Sequence, residues 1–346
     1  MKKIIIVNRK SLVVEKPIPS RSVVNRLVEP LEPLERHRKI DLLILDEDAI
    51  SPREVASCDG VIFCKNVSQK SVEIAELAKQ YHKFVVYDVD DDVTNFSNES
   101  FALLKKDNIK AILQKMFNLT DVVVFSTDFL KNCLCEKFVV GKYVVVETGF
   151  NFEKHKRKLS NNLNSSSILF TNADSIKLKK FKEDFFEVVN TFFERSPGLV
   201  LEVYSDPNPE LNKFTSFVDK GSVPWEQHKR ELGESSYRFA ITPLIGREEA
   251  ENLFFKCKTP IKYLEYGALS IPGIYSRSYI YENVVEDGRT GLLVNNSTYD
   301  WSKALDNLSR DQVLREKIAK NAYDDVFENH NITSKSEMWE EVLFNL

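Results

Sequence analysis

The feature that most constrains the fold is a regular alternation of short apolar runs with segments of helical periodicity. In the first half of the chain, six such runs are predicted to be strands: Ile4–Val7, Asp41–Leu45, Gly60–Cys64, Phe84–Tyr87, Val122–Phe125 and Val144–Val146. Helical patterns lie between several of them, at Ser22–Arg36, Ser71–Tyr81 and Ile109–Phe117. Strands that are apolar on both faces and are joined by helices form parallel sheets covered on both sides. The sequence therefore predicts an α/β fold with a doubly wound parallel sheet.

A second series of the same kind begins after residue 167. Its strands are predicted at Ile168–Thr171, Val200–Tyr204, Phe239–Thr242 and Ile274–Tyr275. Its helices are predicted at Leu178–Glu194, Trp225–Leu232, Thr259–Gly267, Trp301–Leu308 and Asp311–Val326. A chain of 346 residues exceeds the usual size of one domain, so we expect two Rossmann-like domains that face each other across a cleft.

The segment that separates the two series, residues 151–167, is polar and basic and then rich in Asn and Ser, which is typical of a linker. We therefore predict four parts: a domain over 1–150, a linker over 151–167, a second domain over 168–330 and a C-terminal helix over 331–346 that packs back on the first domain. The basic run Lys154–Lys158 suits contact with anionic lipid headgroups, although a solvated linker is the preferred explanation.

Composition argues against several classes of function. The formal net charge is −4, which argues against a nucleic-acid partner. The five cysteines form no C-x-x-C pair and the five histidines form no H-E-x-x-H motif, so no metal site is predicted. No apolar run approaches the roughly 20 residues that span a bilayer, and Ile4–Val7 is too short for the core of a signal peptide. We therefore expect a cytoplasmic protein.

The most informative segment for function is Lys256–Ser276, KCKTPIKYLEYGALSIPGIYS. Lys258, Lys262 and Glu265 are spaced four and three residues apart. A helix that opens at Thr259 or Pro260 would place Lys262 and Glu265 on neighbouring turns of one face. The amides at that helix start and the two lysines suit a diphosphate, and the carboxylate suits both hydroxyls of a ribose. From spacing alone, a surface lysine–glutamate pair is the alternative.

The pattern K-x-x-x-K-x-L-E-Y-x-A-x-x-x-P-x-I-x-S, followed by D-G-x-T-G-L-L-V, resembles the donor-binding half of GT-B glycosyltransferases. It is most similar to the large retaining family four, in the branch of bacterial surface-polysaccharide synthesis. Further parts of the resemblance are Gly221–Leu232, Ile241–Gly246 and Asp311–Val326. The resemblance implies a nucleotide-sugar donor and metal-independent transfer with retention. Its D-G-x-T-G turn, Asp287–Gly291, is expected to be structural.

The resemblance implies roles only for the positions that match the family. Glu265 matches the second glutamate of the E-x7-E motif, which holds the donor ribose. The first glutamate falls at Cys257, so the chain departs from the family there, and Lys258 and Lys262 are expected to replace its charge. Further donor-binding candidates are Arg247, Lys177 and Tyr263.

A second informative segment is Tyr87–Thr94, YDVDDDVT, where four carboxylates fall within five residues. Such carboxylates repel one another unless they are solvated, hydrogen-bonded or metal-bound. Three interpretations compete: the metal–nucleotide motif of GT-A glycosyltransferases, the nucleophile of haloacid-dehalogenase phosphatases, and the Y-D-x-D-D segment in the acceptor-side domain of polysaccharide glycosyltransferases similar to this chain. We favour the third, in which this segment orients or deprotonates the acceptor hydroxyl, and an acidic helix N-terminus is the structural alternative. The catalytic candidates are Asp88, Asp90, Asp91 and Asp92.

A third segment, Pro17–Leu34, lies where family four usually has a glycine-rich loop. The similar branch has instead a P-S-x-x-x-R-type entry into the first helix. Arg21 or Arg26 is then expected to bind acceptor or donor phosphate. A partly buried arginine paired with Glu29 or Glu32 is an equal alternative.

The function implied is the transfer of a sugar from a nucleotide-sugar donor to a hydroxyl of a glycan or lipid-linked glycan. The resemblance places it in lipopolysaccharide (O-antigen) or capsule synthesis, with peripheral contact with the inner membrane allowed by the basic run. Two alternatives in other enzyme classes are a GT-B-like nucleotide-sugar epimerase and an aspartyl phosphatase that uses the Asp88–Asp92 cluster. A third alternative, motivated by Cys257, is a non-catalytic nucleotide-sugar-binding partner subunit.

Overall fold

A computed structural model of the chain describes residues 1–8, 19–95, 106–155, 162–171, 182–205, 209–244 and 249–346. The chain forms two compact units. The first unit comprises Met1–Asn151, Lys256–Thr259 and Ile332–Leu346, and the second comprises Phe152–Phe255 and Pro260–Asn331. The short segment Lys256–Thr259 therefore belongs to the first unit although both of its flanks belong to the second. Within the described ranges, no helix has both the length and the apolar composition needed to cross a bilayer.

Parallel strands form the centre of each unit. The strands of the first unit are β1 (Lys2–Asn8), β2 (Ile40–Asp46), β3 (Gly60–Cys64), β4 (Phe84–Val89), β5 (Val122–Phe125) and β6 (Tyr143–Val145). The strands of the second unit are β7 (Ser167–Thr171), β8 (Val200–Tyr204), β9 (Phe217–Asp219), β10 (Phe239–Thr242), β11 (Gly273–Ser276) and β12 (Leu292–Val294).

Helices connect these strands. Those around the first sheet are the successive segments Arg21–Val23, Val24–Val28 and Glu29–Arg36, then Pro52–Ser57, Gln69–Gln80, Lys106–Leu119, Asp128–Cys135 and Ile332–Phe344, with short 3-10 turns at Glu47–Ala49 and Val93–Asn95. Those around the second are Lys182–Arg195, Trp225–Glu234, Glu249–Lys256, Ile261–Ala268, Tyr279–Glu282, Thr298–Arg310 and Gln312–Asn329, with a 3-10 turn at Pro209–Lys213.

The first sheet has the strand order β2-β1-β3-β4-β5-β6 and is parallel throughout. Successive residues of a strand point to opposite faces, and both faces are apolar here. Ile5 and Val7 of β1 lie in one core, whereas Ile4 and Ile6 lie in the other. This double burial explains why β1 reads as an uninterrupted apolar run rather than as an alternating one.

The second core of this unit contains the C-terminal helix. Leu27 and Leu31 of the helical run 21–36 pack there with Trp339 of the helix Ile332–Phe344. The Nζ of Lys2 donates to the carbonyl oxygen of Leu343 at 2.7 Å, which ties the end of the chain to β1. The last helix is therefore part of the first unit.

The second sheet has the order β12-β11-β10-β7-β8-β9. Read from β9, its strands follow the 3-2-1-4-5-6 order of doubly wound nucleotide-binding folds. The chain order reverses between β7 and β10, which are hydrogen-bonded neighbours. In open α/β sheets, ligands bind outside the carboxyl ends of the strands at such a reversal, so this edge is where a donor site is expected.

The predicted fold class is confirmed, and every predicted strand is present with its ends moved by at most two residues, as at the start of β1 and the end of β4. The strand β9 and the helix Pro52–Ser57 were not predicted, because elements this short leave no periodic signal. The helix predicted at Thr259–Gly267 begins at Ile261, after Pro260. The segment Lys256–Thr259 belongs instead to the first unit.

Gly267 allows the helix Ile261–Ala268 to approach the helix Gln312–Asn329 closely. A Cβ at this position would lie 2.7 Å from Cγ2 of Val326 and 2.9 Å from the carbonyl oxygen of Ala322. Because a backbone oxygen cannot move aside, we expect Gly267→Ala to lower the free energy of unfolding by about 1–3 kcal/mol. Urea denaturation measures the change. Gly141→Ala is the control, since its Cβ would meet no atom within 4 Å, and equal stability of the two variants would contradict the prediction.

Candidate functional site

The helix Ile261–Ala268 lies at the strand reversal of the second sheet. The hydroxyl of Tyr266 hydrogen-bonds that of Thr171, the last residue of β7, at 2.7 Å. Tyr266 is fully buried, so this contact fixes the helix against the carboxyl end of the strand. The residue before it, Glu265, is thereby held at the edge of the sheet where a ligand is expected.

Glu265 and Lys262 form a buried pair on this helix. The Nζ of Lys262 lies 3.0 Å from Oε2 of Glu265, one turn further along. The side chain of Glu265 is 1% exposed and that of Lys262 is 13% exposed. Within the part of the chain that the structure describes, the second oxygen of Glu265, Oε1, is buried and has no hydrogen-bond partner. A buried carboxylate oxygen without a donor is costly, so a hydrogen bond from a ligand would stabilise this atom.

Three basic side chains act on the carboxyl group of Glu265. Burial alone would raise the pKa of its carboxyl, but Lys262, His228 and Lys229 together hold the pKa below its ordinary value. His228 and Lys229 are buried on the helix Trp225–Glu234, where the Lys229 ammonium lies 4.7 Å from the centroid of the Trp225 ring. Glu265 is therefore ionised at neutral pH and acts as a hydrogen-bond acceptor. The segment Gly221–Leu232 was part of the sequence resemblance, but the sequence did not predict that His228 and Lys229 act on the Glu265 carboxylate.

Lys258 lies in the first unit, in the segment Lys256–Thr259. Its Nζ is 3.3 Å from Oδ1 of Asp91, and the other oxygen of Asp91 is 2.7 Å from Nζ of Lys65. Burial would raise the pKa of Asp91, but Lys258 and Lys65 outweigh it and lower the pKa. Two of the predicted site residues, Lys258 from the donor set and Asp91 from the acidic set, are therefore brought into direct contact.

The deepest carboxylate of the acidic segment, Asp88, is paired with Arg26. Nη2 of Arg26 donates to Oδ1 at 2.6 Å and Nε donates to Oδ2 at 3.2 Å, and both side chains are at most 2% exposed. Nη1 of Arg26 donates to the carbonyl oxygen of Val146 at 2.5 Å, so one guanidinium connects β4 to the residue after β6. This arrangement matches the predicted alternative of a buried arginine, but the partner is Asp88 rather than a local glutamate. The predicted phosphate-binding role of Arg26 and the predicted catalytic role of Asp88 stay predictions.

The remaining carboxylates of the segment also have cationic partners. Asp90 lies 3.1 Å from Lys65, and Asp92 accepts from Lys137 at 2.9 Å and from the backbone amide of Thr94 at 3.0 Å. The repulsion that the sequence implies is thus relieved by lysines and hydrogen bonds. In the described residues, no group of three or more His, Cys, Asp or Glu side chains is arranged to hold a metal ion. Lys65 and Lys137 were missed by sequence reasoning, since a single lysine after a strand or after a helix carries no motif.

Other predicted site residues are placed as follows. Tyr263 is fully buried and its hydroxyl donates to Asp325. Its predicted contact with the nucleotide-sugar donor stays a prediction. Arg21 is exposed at the start of its helix. Lys177 and Arg247 lie outside the described residues.

The D-G-x-T-G turn is structural, as predicted. The amide of Gly288, at φ +72°, donates to the carbonyl oxygen of Gly291 at 2.8 Å. Oδ1 of Asp287 accepts from the amide of Leu293 in β12 at 3.0 Å.

Cys257 lies where the family that the sequence resembles is expected to have its first glutamate. It is fully buried in a core of the first unit, and its thiol contacts that of Cys133. Burial, followed by the neighbouring Cys133 and Asp92, raises the pKa of the Cys257 thiol. A neutral, buried thiol carries no charge. Position 257 therefore does not supply the negative charge that a glutamate would place there.

Placing a glutamate at position 257 is therefore expected to destabilise the protein. Cys257→Glu would bury a carboxylate near Asp92, and we expect it to lower the free energy of unfolding by about 3 kcal/mol or more. Chemical denaturation measures this change, with Cys257→Ala as the control for lost volume. A Cys257→Glu protein as stable as the control would show that position 257 has access to water or to a cation.

Comparisons with known proteins bear on the fold. No family model matches the chain, and no curated protein sequence matches it. Among solved structures, HepE from Anabaena, in complex with UDP and glucose, matches with a TM-score of 0.69 and 12% identity over 100% of both chains. Sucrose-phosphate synthase from Thermosynechococcus elongatus matches with a TM-score of 0.66 and 11% identity, over 100% of this chain and 99% of that one. The chain has the GT-B fold.

A glycosyltransferase from Rickettsia africae gives the same result, with a TM-score of 0.64 and 14% identity over 99% of this chain and 97% of that one. At these identities the similarity establishes the fold. The two six-stranded parallel sheets are the two Rossmann-like domains of the GT-B architecture. The chemistry must be argued from the side chains.

Proposed function

We propose that the protein is a glycosyltransferase that moves a sugar from a nucleotide-sugar donor to a hydroxyl of a glycan or lipid-linked glycan. We further propose that transfer proceeds with retention and without a metal ion, in the synthesis of a surface polysaccharide of the O-antigen or capsule type. The protein would act in the cytoplasm, with peripheral contact with the membrane. The GT-B fold and the resemblance of Lys256–Ser276 support the first statement, and the resemblance alone supports the others.

The observation that carries the proposal is the unpartnered Oε1 of Glu265. This atom is buried, ionised and adjacent to a lysine, at the strand reversal of a nucleotide-binding sheet. A ribose offers two neighbouring hydroxyl donors and is the part of a nucleotide that a carboxylate binds best. The alternative from spacing was a surface lysine–glutamate pair, whose carboxylate would be exposed to solvent. The Glu265 side chain is 1% exposed, which argues against that alternative.

Lys262 supplies the charge for the leaving diphosphate in this proposal. An ammonium group has three donors, so Lys262 can bind Glu265 and a phosphate oxygen together. Negative charge that develops on the diphosphate as the glycosidic bond breaks is stabilised by such preorganised cations. Lys258, Arg247 and Lys177 are the further residues that we propose for this role, and Tyr263 for a contact to the donor.

Asp90 and Asp91 are the acceptor-side residues that we favour. Both lie after the carboxyl end of β4 with side chains that are 12% exposed, whereas Asp88 is fully buried under Arg26. A carboxylate at the end of a strand can orient an acceptor hydroxyl or accept its proton. The pairing of Asp88 also disfavours the phosphatase alternative, because a nucleophile must reach the substrate.

The experiment is a screen of nucleotide sugars with a panel of glycan acceptors. UDP sugars are the first donors to test, because HepE was solved with UDP and glucose. Release of nucleoside diphosphate together with a glycosylated acceptor is the expected result. Isomerised donor without acceptor would support the epimerase, and inorganic phosphate released from simple esters would support the phosphatase. Donor binding without any turnover would support the non-catalytic subunit, and no binding at all would contradict the proposal.

A further inference from the structure

Lys65 is the first residue after β3, beside the acidic segment that follows β4. The two strands are paired so that Cys64 lies opposite Asp88, and the amide of Lys65 donates to the carbonyl oxygen of Asp88 at 2.8 Å. Lys65 has a φ of +45°, in the left-handed region that glycine and asparagine adopt with less strain. The backbone is therefore held in a strained conformation at the point where the lysine side chain turns toward the carboxylates.

The ammonium of Lys65 contacts both favoured acceptor-side residues. Its Nζ lies 2.7 Å from Oδ2 of Asp91, and 3.1 Å and 3.4 Å from the two oxygens of Asp90. The Lys65 side chain is 22% exposed, so these ion pairs are only partly screened by solvent. One cation thus fixes the direction of two neighbouring carboxylates.

Asp90 depends on Lys65 more than Asp91 does. Asp91 has a second ion pair, to Lys258 at 3.3 Å, whereas Lys65 is the ion-pair partner of Asp90 among the described residues. The other ionisable groups that interact with Asp90 are the Arg26–Asp88 pair, Cys64 and Tyr87. Removing the Lys65 charge would leave Asp90 without an ion-pair partner among the described residues, because the nearby Arg26 guanidinium is already paired with Asp88.

The residue after Lys65 also suggests that a ligand binds here. Asn66 is fully buried, and its Oδ1 accepts from the amide of Cys64 at 3.0 Å. Within the described ranges, its Nδ2 is buried and has no hydrogen-bond partner. A buried amide donor without an acceptor is rare in a folded protein, and a polar substrate group would satisfy it.

We propose that Lys65 is a positioning residue for glycosyl transfer, which holds the carboxylates of Asp90 and Asp91 toward the acceptor hydroxyl. Lys65 does not touch the transferred sugar in this account and acts through the two aspartates. The inference rests on the proposed function and adds to it the residue that sets the geometry of the two acceptor-side carboxylates and helps to lower the pKa of Asp91.

The test compares Lys65→Met and Lys65→Arg in the transfer assay, with the donor and acceptor that the screen identifies. For Lys65→Met we expect kcat to fall by about 100-fold, because misplacing a catalytic group lowers the rate by about this factor. The affinity for nucleoside diphosphate should not change. The acid limb of the pH–rate profile should move up by about 1 pH unit, because Lys65 lowers the pKa of Asp91 and its loss lets that carboxylate bind protons more tightly. Lys65→Arg should restore most of the rate and the original pH profile.

Lys79→Met is the matched control. Lys79 is also in the first unit and pairs with Asp121 at 2.6 Å, but it lies on the exposed face of the helix Gln69–Gln80. Its loss should change neither rate nor pH profile. A Lys65→Met protein with the wild-type rate and profile would overturn the inference while leaving the proposed function intact. A lower rate with an unmoved acid limb would also overturn it, since that is the result of a purely structural role. If wild-type protein transfers no sugar, the proposed function fails and the inference fails with it.

Discussion

Replacing Glu265 with glutamine is expected to weaken the binding of a nucleoside diphosphate by about 100-fold, equivalent to about 2.7 kcal/mol. The variant keeps the shape of the side chain but loses the ionised acceptor whose Oε1 has no partner in the described residues. Isothermal titration with UDP and other nucleoside diphosphates measures the change. Because the surrounding cations lower the pKa of Glu265, wild-type affinity should not fall through protonation of this group until the pH is below the ordinary range of a glutamate.

The control for this prediction is Glu328→Gln. Glu328 is exposed on the helix Gln312–Asn329 of the same unit, and its substitution changes the net charge by the same amount. Circular dichroism establishes that both variants are folded. Equal nucleotide affinity of Glu265→Gln and Glu328→Gln would remove Glu265 from the donor site.

Replacing Arg26 with methionine is expected to lower the free energy of unfolding by about 3–5 kcal/mol, because it leaves one partner of a buried ion pair without its counter-charge. The carboxylate of Asp88 is fully buried and takes two hydrogen bonds from Arg26, and the carbonyl oxygen of Val146 takes a third. Guanidinium denaturation measures the loss. The loss should be smaller at acid pH than at neutral pH, because without Arg26 the pKa of Asp88 rises further and the neutral acid tolerates burial.

A double-mutant cycle distinguishes a lost ion pair from a lost volume. Arg26→Met combined with Asp88→Leu removes both charges, and we expect this protein to recover part of the stability that either single substitution loses. Strictly additive effects of the two substitutions would contradict a specific pairing. An exposed pair, Lys79 and Asp121, gives the reference value, which should be below about 1 kcal/mol.

The sequence predicted the sheets well because their strands are buried on both faces. Apolar runs such as Ile4–Val7 are too short to cross a bilayer, so burial on both faces of a sheet explains them. The helices between the runs require the strands to pair in parallel. The short strand β9 escaped prediction because three residues of mixed polarity form no pattern. Fold class was therefore accessible from the sequence, whereas the ends of short elements were not.

The candidate site was only partly accessible from the sequence. Lys262 and Glu265 could be paired from their spacing, because three residues make one helical turn. Lys258 was expected just before the start of the same helix, but the helix begins only at Ile261, after Pro260, and the segment Lys256–Thr259 is grouped with the first unit. Neither the pairing of Arg26 with Asp88 nor that of Lys65 with Asp90 could be predicted, since each joins residues that only the sheet order brings together. A positive φ at a lysine leaves no trace in composition or periodicity.

The most direct test of the central claim is a crystal structure of the protein with the nucleoside diphosphate that binds it most tightly. We expect both ribose hydroxyls to lie within hydrogen-bond distance of Glu265, with at least one on Oε1, and Lys262 to contact a phosphate oxygen. A nucleotide bound elsewhere, with Oε1 of Glu265 still lacking a donor, would contradict it.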